Sequence, residues 1–305
     1  MVIVQTCVLL AFACAKMPTS AAGGGGIETV ALVIPLPESM RGGGAIVYGD
    51  TTIVVGPGAA SVTIEVPEAD SIAAVTWISG ADTVVLGTGL SATGGIVPKI
   101  VLLVTGSAGA RAPADSLIRA HIMKEGIVVI PVQDSQISIS DTQGMNGICI
   151  SSTVRAALVG SGFRNAAVPL IDCNYLLLDS LGLCGPVPGT DYGTRHPVDT
   201  VFVNPNRPGS AGLAGLSAFF ITTSDTLGHL DWAIPVAGST LTAVDPQDTT
   251  HAQSFCAETG TSFSGGGLTS ARRAAFLFWP YDTPDMTSQA KQVFRAIVRW
   301  TFLRN

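Results

Sequence analysis

Apolar residues recur along this chain in two rhythms. Up to about residue 95 they come as short runs broken by glycine and proline: VALVIPLP, AIVYGD, TTIVVGPG, SVTIEVPEAD, IAAVTWISG and TVVLGTG. In SVTIEVP the alternation puts Val62, Ile64 and Val66 on one side, as a half-buried strand requires. No stretch here has a helical period of useful length, and regular short strands with turn signals between them predict a small β-sandwich. The glycines at Gly23 to Gly26 read as a flexible joint behind a first apolar strand. GTGLSATGG, from Gly87 to Gly95, marks the expected boundary between an all-β sandwich of residues 1–95 and a second domain of residues 96–305.

From Ile96 the rhythm changes. IVLLVTG is apolar without alternation, the pattern of a central parallel strand covered on both faces. APADSLIRAHIMKEG predicts a helix: Pro113 suits its first turn, Leu117, Ile118, His121 and Ile122 make an apolar stripe, and Gly126 suits its end. IVVIPVQD, GICISS and AVPLIDCN read as further strands, with TVRAALVGSGF as a short helix between the last two. This alternation predicts a doubly wound, parallel α/β sheet. Farther on, DTVFVN, AFFITTSD, STLTAVD and SFCAETG read as strands, RRAAFLFWP as a strong final strand, and TSQAKQVFRAIVRWTFLRN as a closing amphipathic helix.

Composition narrows the classes. Only 12% of the 305 residues are charged and the mean hydropathy is +0.45, against roughly 25% charged residues in ordinary soluble domains. No apolar run approaches the ~20 residues of a membrane span, so the apolar content belongs to cores and to contacts between chains. The net charge of −6 argues against a nucleic-acid partner. The apolar stretch from Cys7 to Ala15 has the length of a signal-peptide core, but no positive charge precedes it, so it reads as a structural strand. Of the six cysteines, Cys149 and Cys173 lie in apolar strands and read as buried thiols; the sequence leaves open whether Cys173 and Cys184 are bonded.

The order of KIVLLVTGS…ADSLIRAHIMKEGIVVIPVQD, MNGICISSTV, GFRNAAVPLIDCNYLLLDSLGL, NRPGSAGLAGL and RRAAFLFWPYDTPDMTSQAKQVFRAIVRW resembles flavodoxin-like domains related to class I glutamine amidotransferases and ThuA-like proteins. The resemblance covers residues 96–305, about two thirds of the chain. It implies a flavodoxin-like fold, and such domains recur in secreted surface proteins and phage virions. The enzymes of that group place a cysteine on a tight strand-to-helix turn, with histidine and glutamate as partners.

The candidate chemistry here is sparse. TGSAGARAPAD follows a strand and opens a helix, but it has neither phosphate-loop pattern and reads as a plain βα turn. GICISSTV offers Cys149, which sits inside an apolar run and should be buried, and Ser151 and Ser152 nearer the turn, with no G-x-S-x-G elbow around them. Of the histidines, His121 belongs to a helix face, while His196, His229 and His251 fall in the loop-rich later region. A triad drawing on His229 or His251 stays open at this level, because such partners need not be neighbours in sequence. HLDW and DPQDTTH hold ligand-type residues without a metal spacing. Trp77, Trp232, Trp279 and Tyr281 are candidate stacking faces for carbohydrate, set against the ordinary role of aromatics in cores and interfaces.

The expectation is therefore a non-enzymatic structural component of an extracellular particle, with a phage virion (capsid decoration, tail or fibre) first. No catalytic, cofactor-binding or metal residue is assigned and no cofactor is expected. The expected partners are copies of itself and other virion or surface-assembly proteins, with polysaccharide as a further candidate and neither nucleic acid nor a membrane span. The alternatives are a ThuA-like or amidotransferase-like hydrolase and a secreted carbohydrate-binding surface module.

Overall fold

The computed structural model describes residues 29–36, 38, 41–48, 51–67, 71–79, 82–91, 99–106, 112–219, 228–280 and 286–304. The apolar N-terminal segment, the glycines Gly23 to Gly26, residues 92–95 of the expected boundary and residues 107–111 of the first βα turn lie outside them, while Gly87 to Ser91 of that boundary form the end of a strand.

The first described third is all antiparallel strand. β1 (Thr29–Pro35) pairs with β4 (Ser61–Pro67), and β2 (Gly44–Tyr48), β3 (Thr51–Val55), β5 (Ser71–Ser79) and β6 (Asp82–Ser91) form a second sheet in the order β3-β2-β5-β6. Alternation decides which side chains go inward: Val62 and Ile64 join Ile34 and Leu36 against Ile46 and Val55 of the second sheet, while Val54 points out to solvent.

The rest of the chain builds one mixed sheet. Its parallel half comprises β7 (Ile100–Thr105), β8 (Val128–Gln133), β9 (Gly147–Ile150), β10 (Leu170–Asp172) and, much later in the chain, β17 (Arg273–Phe276), side by side as β8-β7-β9-β10-β17. β11 (Tyr192–Arg195), β12 (Thr200–Val203), β13 (Gly215–Ala218), β14 (Leu230–Ala233), β15 (Thr240–Val244) and β16 (Ala252–Ala257) extend it with antiparallel pairing. β16 lies against β17, then come β15, β12 and the edge strand β13; β14 branches from β16 and carries β11. The strand expected from AFFITTSD ends at Ala218, and residues 220–227 lie outside the description. The sequence pattern does not mark β11 (YGTR) or β14 (LDWA), because neither carries an uninterrupted apolar run.

Three α-helices are described: α1 (Ala112–Met123), α2 (Ala156–Val159) and α3 (Ser288–Val298), the last running on into a π-helical turn at Arg299–Leu303. α1 ends where expected, with Gly126 at φ 72° in the left-handed region that a side chain disfavours. The Thr287 hydroxyl oxygen caps α3 by accepting from the Ala290 amide at 3.2 Å. α1 and α3 cover one face of the parallel strands, over Val101, Leu103, Val129, Cys149, Ile171, Ala274 and Phe276. The fit is tight at β9, where a Cβ on Gly147 would lie 2.5 Å from the Phe302 ring.

The other face has two covers. Over β9, β10 and β17 it is closed by α2 and the loops after β10. Over β7 and β8 it is closed by the N-terminal strands: Ile100, Leu102, Val128, Ile130, Val132 and Met145 share one core with Ile34, Leu36, Ile46, Val55, Val62 and Ile64. No α-helix follows β8; a short 3₁₀ turn at Ile139–Thr142 takes its place, and Asp141 there accepts from the Glu38 amide at 3.4 Å. Among the described residues no helix is long and apolar enough to cross a membrane.

Candidate functional site

Ligands of open α/β sheets sit outside the carboxyl ends of the strands, where the strand order reverses. In this sheet the reversal falls between β7 and β9, so the residues that follow those strands define the place to look. Gly106 follows β7, and Ser151, Ser152 and Thr153 follow β9.

Thr153 closes that crevice. A Cβ on Gly106 would lie 2.2 Å from the Thr153 carbonyl oxygen, so only glycine fits. The Gly106 amide donates to Thr153 Oγ1 at 2.8 Å, and that hydroxyl donates in turn to Asp115 Oδ1 at 2.7 Å. Ser151 Oγ donates to the same carboxylate oxygen at 2.5 Å. Asp115 stands in the first turn of α1, so this carboxylate ties the start of the helix to the turn after β9. Burial raises the Asp115 carboxyl above its ordinary range, the two hydroxyls act against that, and the charge of Asp134 adds to it.

A second tie runs beside the first. Asp134, just after β8, receives Arg155 in a fork: Nη2 on Oδ1 at 2.6 Å, Nε on Oδ2 at 3.0 Å, and the Arg155 amide on Oδ2 at 2.9 Å. These bonds hold the Asp134 carboxyl below the usual carboxylate range. After β10, Asn174 donates to the Val154 carbonyl at 2.7 Å, and its own amide donates to Asp172 Oδ1 at 3.0 Å. Asp172 is fully buried, which pushes its carboxyl well up, and its Oδ2 has no hydrogen-bond partner.

The nucleophile candidates are all enclosed. Cys149 and Ser151 have no exposed surface and Ser152 has little. Cys173 lies beside Cys149, and burial, followed by a hydrogen bond to Cys149, raises its thiol far above the ordinary range. Cys173 and Cys184 are separate free thiols, which answers the question the sequence left open. His121 is buried on α1, edge-on to Phe294 with centroids 6.5 Å apart. Burial and the charges of Lys124, Lys291 and Arg295 push it down to about 4. Among the described residues, no group of three or more His, Cys, Asp or Glu could hold a metal ion.

The remaining histidines gather with aromatics at the other end of the parallel half. His196 follows β11, His229 precedes β14 and Trp279 lies just past β17. Their rings form a row: His196 to His229 at 5.1 Å and His229 to Trp279 at 5.5 Å. Trp232 and His251 form a separate pair, stacked at 3.5 Å with planes 10° apart. A Cβ on Gly193 would lie 3.0 Å from the Trp232 ring, so that indole is packed between backbone and imidazole. Of the four aromatics that the sequence offers as stacking faces, Trp232 is thus a packing residue and Trp279 keeps part of its surface open; the side chains of Trp77 and Tyr281 lie outside the described residues. Nothing in the sequence linked His196 and His229 to Trp279, because three chain segments that meet only in the folded sheet supply them.

A scan against protein-family models finds no match to this chain, and a search of the curated proteins finds none either.

Proposed function

We propose that this chain is a non-enzymatic structural component of an extracellular particle, with a phage virion as its first setting. One observation carries the reading: at the β7–β9 crevice, where a related enzyme would present its nucleophile, Thr153 packs onto Gly106 and Asp115 takes the hydroxyls of both Ser151 and Thr153. Those two hydroxyls are spent on holding α1 to the sheet. The parallel strands, numbered in chain order, lie as 2-1-3-4-5, the order of flavodoxin-type sheets, which supports the resemblance in the sequence. The virion setting rests on that resemblance by analogy. The low charge content supports an assembled state with wide contact between chains.

The test is twofold. Full-length protein should form particles or join them, seen by sedimentation and electron microscopy, and deletion of residues 2–22 should leave the α/β part folded while preventing incorporation. A fluorophosphonate probe should leave Ser151 and Ser152 unlabelled in the folded chain. Labelling of either serine would turn the reading toward a hydrolase.

A further inference from the structure

The row of rings past β17 is a different kind of surface from the closed crevice. We propose that His196, His229 and Trp279 form a stacking face for the sugar rings of a neutral glycan. The row lies past the carboxyl end of β17, the side of the sheet on which ligands of open α/β folds sit. It is partly open: His196 is exposed, and His229 and Trp279 are half-buried.

The chemistry of the row selects the ligand class. An indole face offers apolar area to the C–H face of a pyranose. The imidazole of exposed His196 brings ring nitrogens to a sugar hydroxyl, which is itself both donor and acceptor. An anion would need a spare cation, and the nearest in sequence, Arg195, is neutralised by buried Asp245 at 2.6 Å and also bonds Gln247. The net charge of −6 works against a polyanion as well. The rings lie 5.1 and 5.5 Å apart and are tilted 56° and 32° to one another, so they offer several facets rather than one flat plate, which suits an oligosaccharide better than a single sugar. The Trp232–His251 pair is the internal control, since its facing surfaces are spent on each other.

The proposal is independent of the assembly reading, because an assembled and a free chain carry the same row. The full chain is applied to an array of neutral and acidic glycans, and the neutral oligosaccharides that bind are titrated by calorimetry, a readout that does not depend on Trp279. Saturable binding of at least one neutral glycan is expected. His196→Ala and Trp279→Ala should each weaken it tenfold or more, while His251→Ala leaves it unchanged. Melting temperatures taken alongside verify that each variant is folded, and His196→Ala, at an exposed position, keeps the test open should Trp279→Ala fail to fold. Absence of neutral-glycan binding, binding confined to acidic glycans, or affinity unaltered in His196→Ala would each overturn the proposal. Sedimentation of the same samples reads assembly separately, so failure of one proposal is distinguishable from failure of the other.

Discussion

The two faces of the parallel sheet are closed by different means. On one face α1 and α3 supply the cover, and both come from segments next to the strands they cover. On the other, β7 and β8 are covered by strands from the N-terminal third of the chain. The run IVLLV feeds both: Val101 and Leu103 face the helices, and Ile100 and Leu102 face the N-terminal strands. A sheet needs an apolar cover on each face, and either secondary structure serves. What looks like a separate module in sequence can therefore be part of another region's core.

Stripping one face of the sheet should have the largest effect. A fragment of residues 96–305 leaves Ile100, Leu102, Val128, Ile130, Val132 and Met145 uncovered. Exposing these six side chains should remove on the order of 5–10 kcal/mol, enough to leave the fragment unfolded or aggregating by circular dichroism and light scattering. A fragment as stable as the full chain would show that the shared core contributes nothing.

At the rim between the faces, Gly106→Ala drives a methyl group into the Thr153 carbonyl, 2.2 Å away. Backbone on both sides leaves no flexible group to yield, so a loss of about 3 kcal/mol or more in denaturant unfolding is expected. Asp115→Ala is milder. It strips the acceptor from two buried hydroxyls, with an expected loss of about 1–3 kcal/mol, and Asp115→Asn, which keeps an amide oxygen to accept from both, should avoid most of it.

The helix-covered face also has a pH signature. His121 stays neutral down to about pH 4 in the folded chain, while an unfolded histidine takes up its proton near pH ~6.5. Between those values the unfolded state binds more protons, so this group's contribution falls as pH drops through the upper value and levels off below the lower one. His121→Leu should flatten the slope by on the order of 1–2 kcal/mol, read from unfolding midpoints across that window. The smallest effect concerns the thiols beneath α1. Cys149 pairs in register with Ile171, so Cys173 lies two residues diagonally along the next strand. Sheet spacing then sets the two Cα atoms about 8 Å apart, beyond the ~7 Å reach of a disulfide. Both should stay reduced under mild oxidant and resist alkylation until the chain unfolds, as mass spectrometry would register.

Much of the architecture was legible in the sequence. The apolar runs located β1 through β10, β12, β15, β16 and β17, and the stripe ending at Gly126 located α1, because each pattern is local and follows from backbone period. Burial of Cys149 followed in the same way from its place within GICIS. Tertiary structure alone decided the rest. No local pattern announces that Thr153 will rest on Gly106, that one carboxylate will take two hydroxyls from a turn 36 and 38 residues away, or that His196 and His229 will line up with Trp279. The first two contacts exist because the parallel crossover returns distant strand ends to a common edge, and His196 meets His229 because antiparallel β11 and β14 pair Arg195 with Leu230. Sequence periodicity fixes which way a side chain faces, while only the closed sheet fixes what it meets.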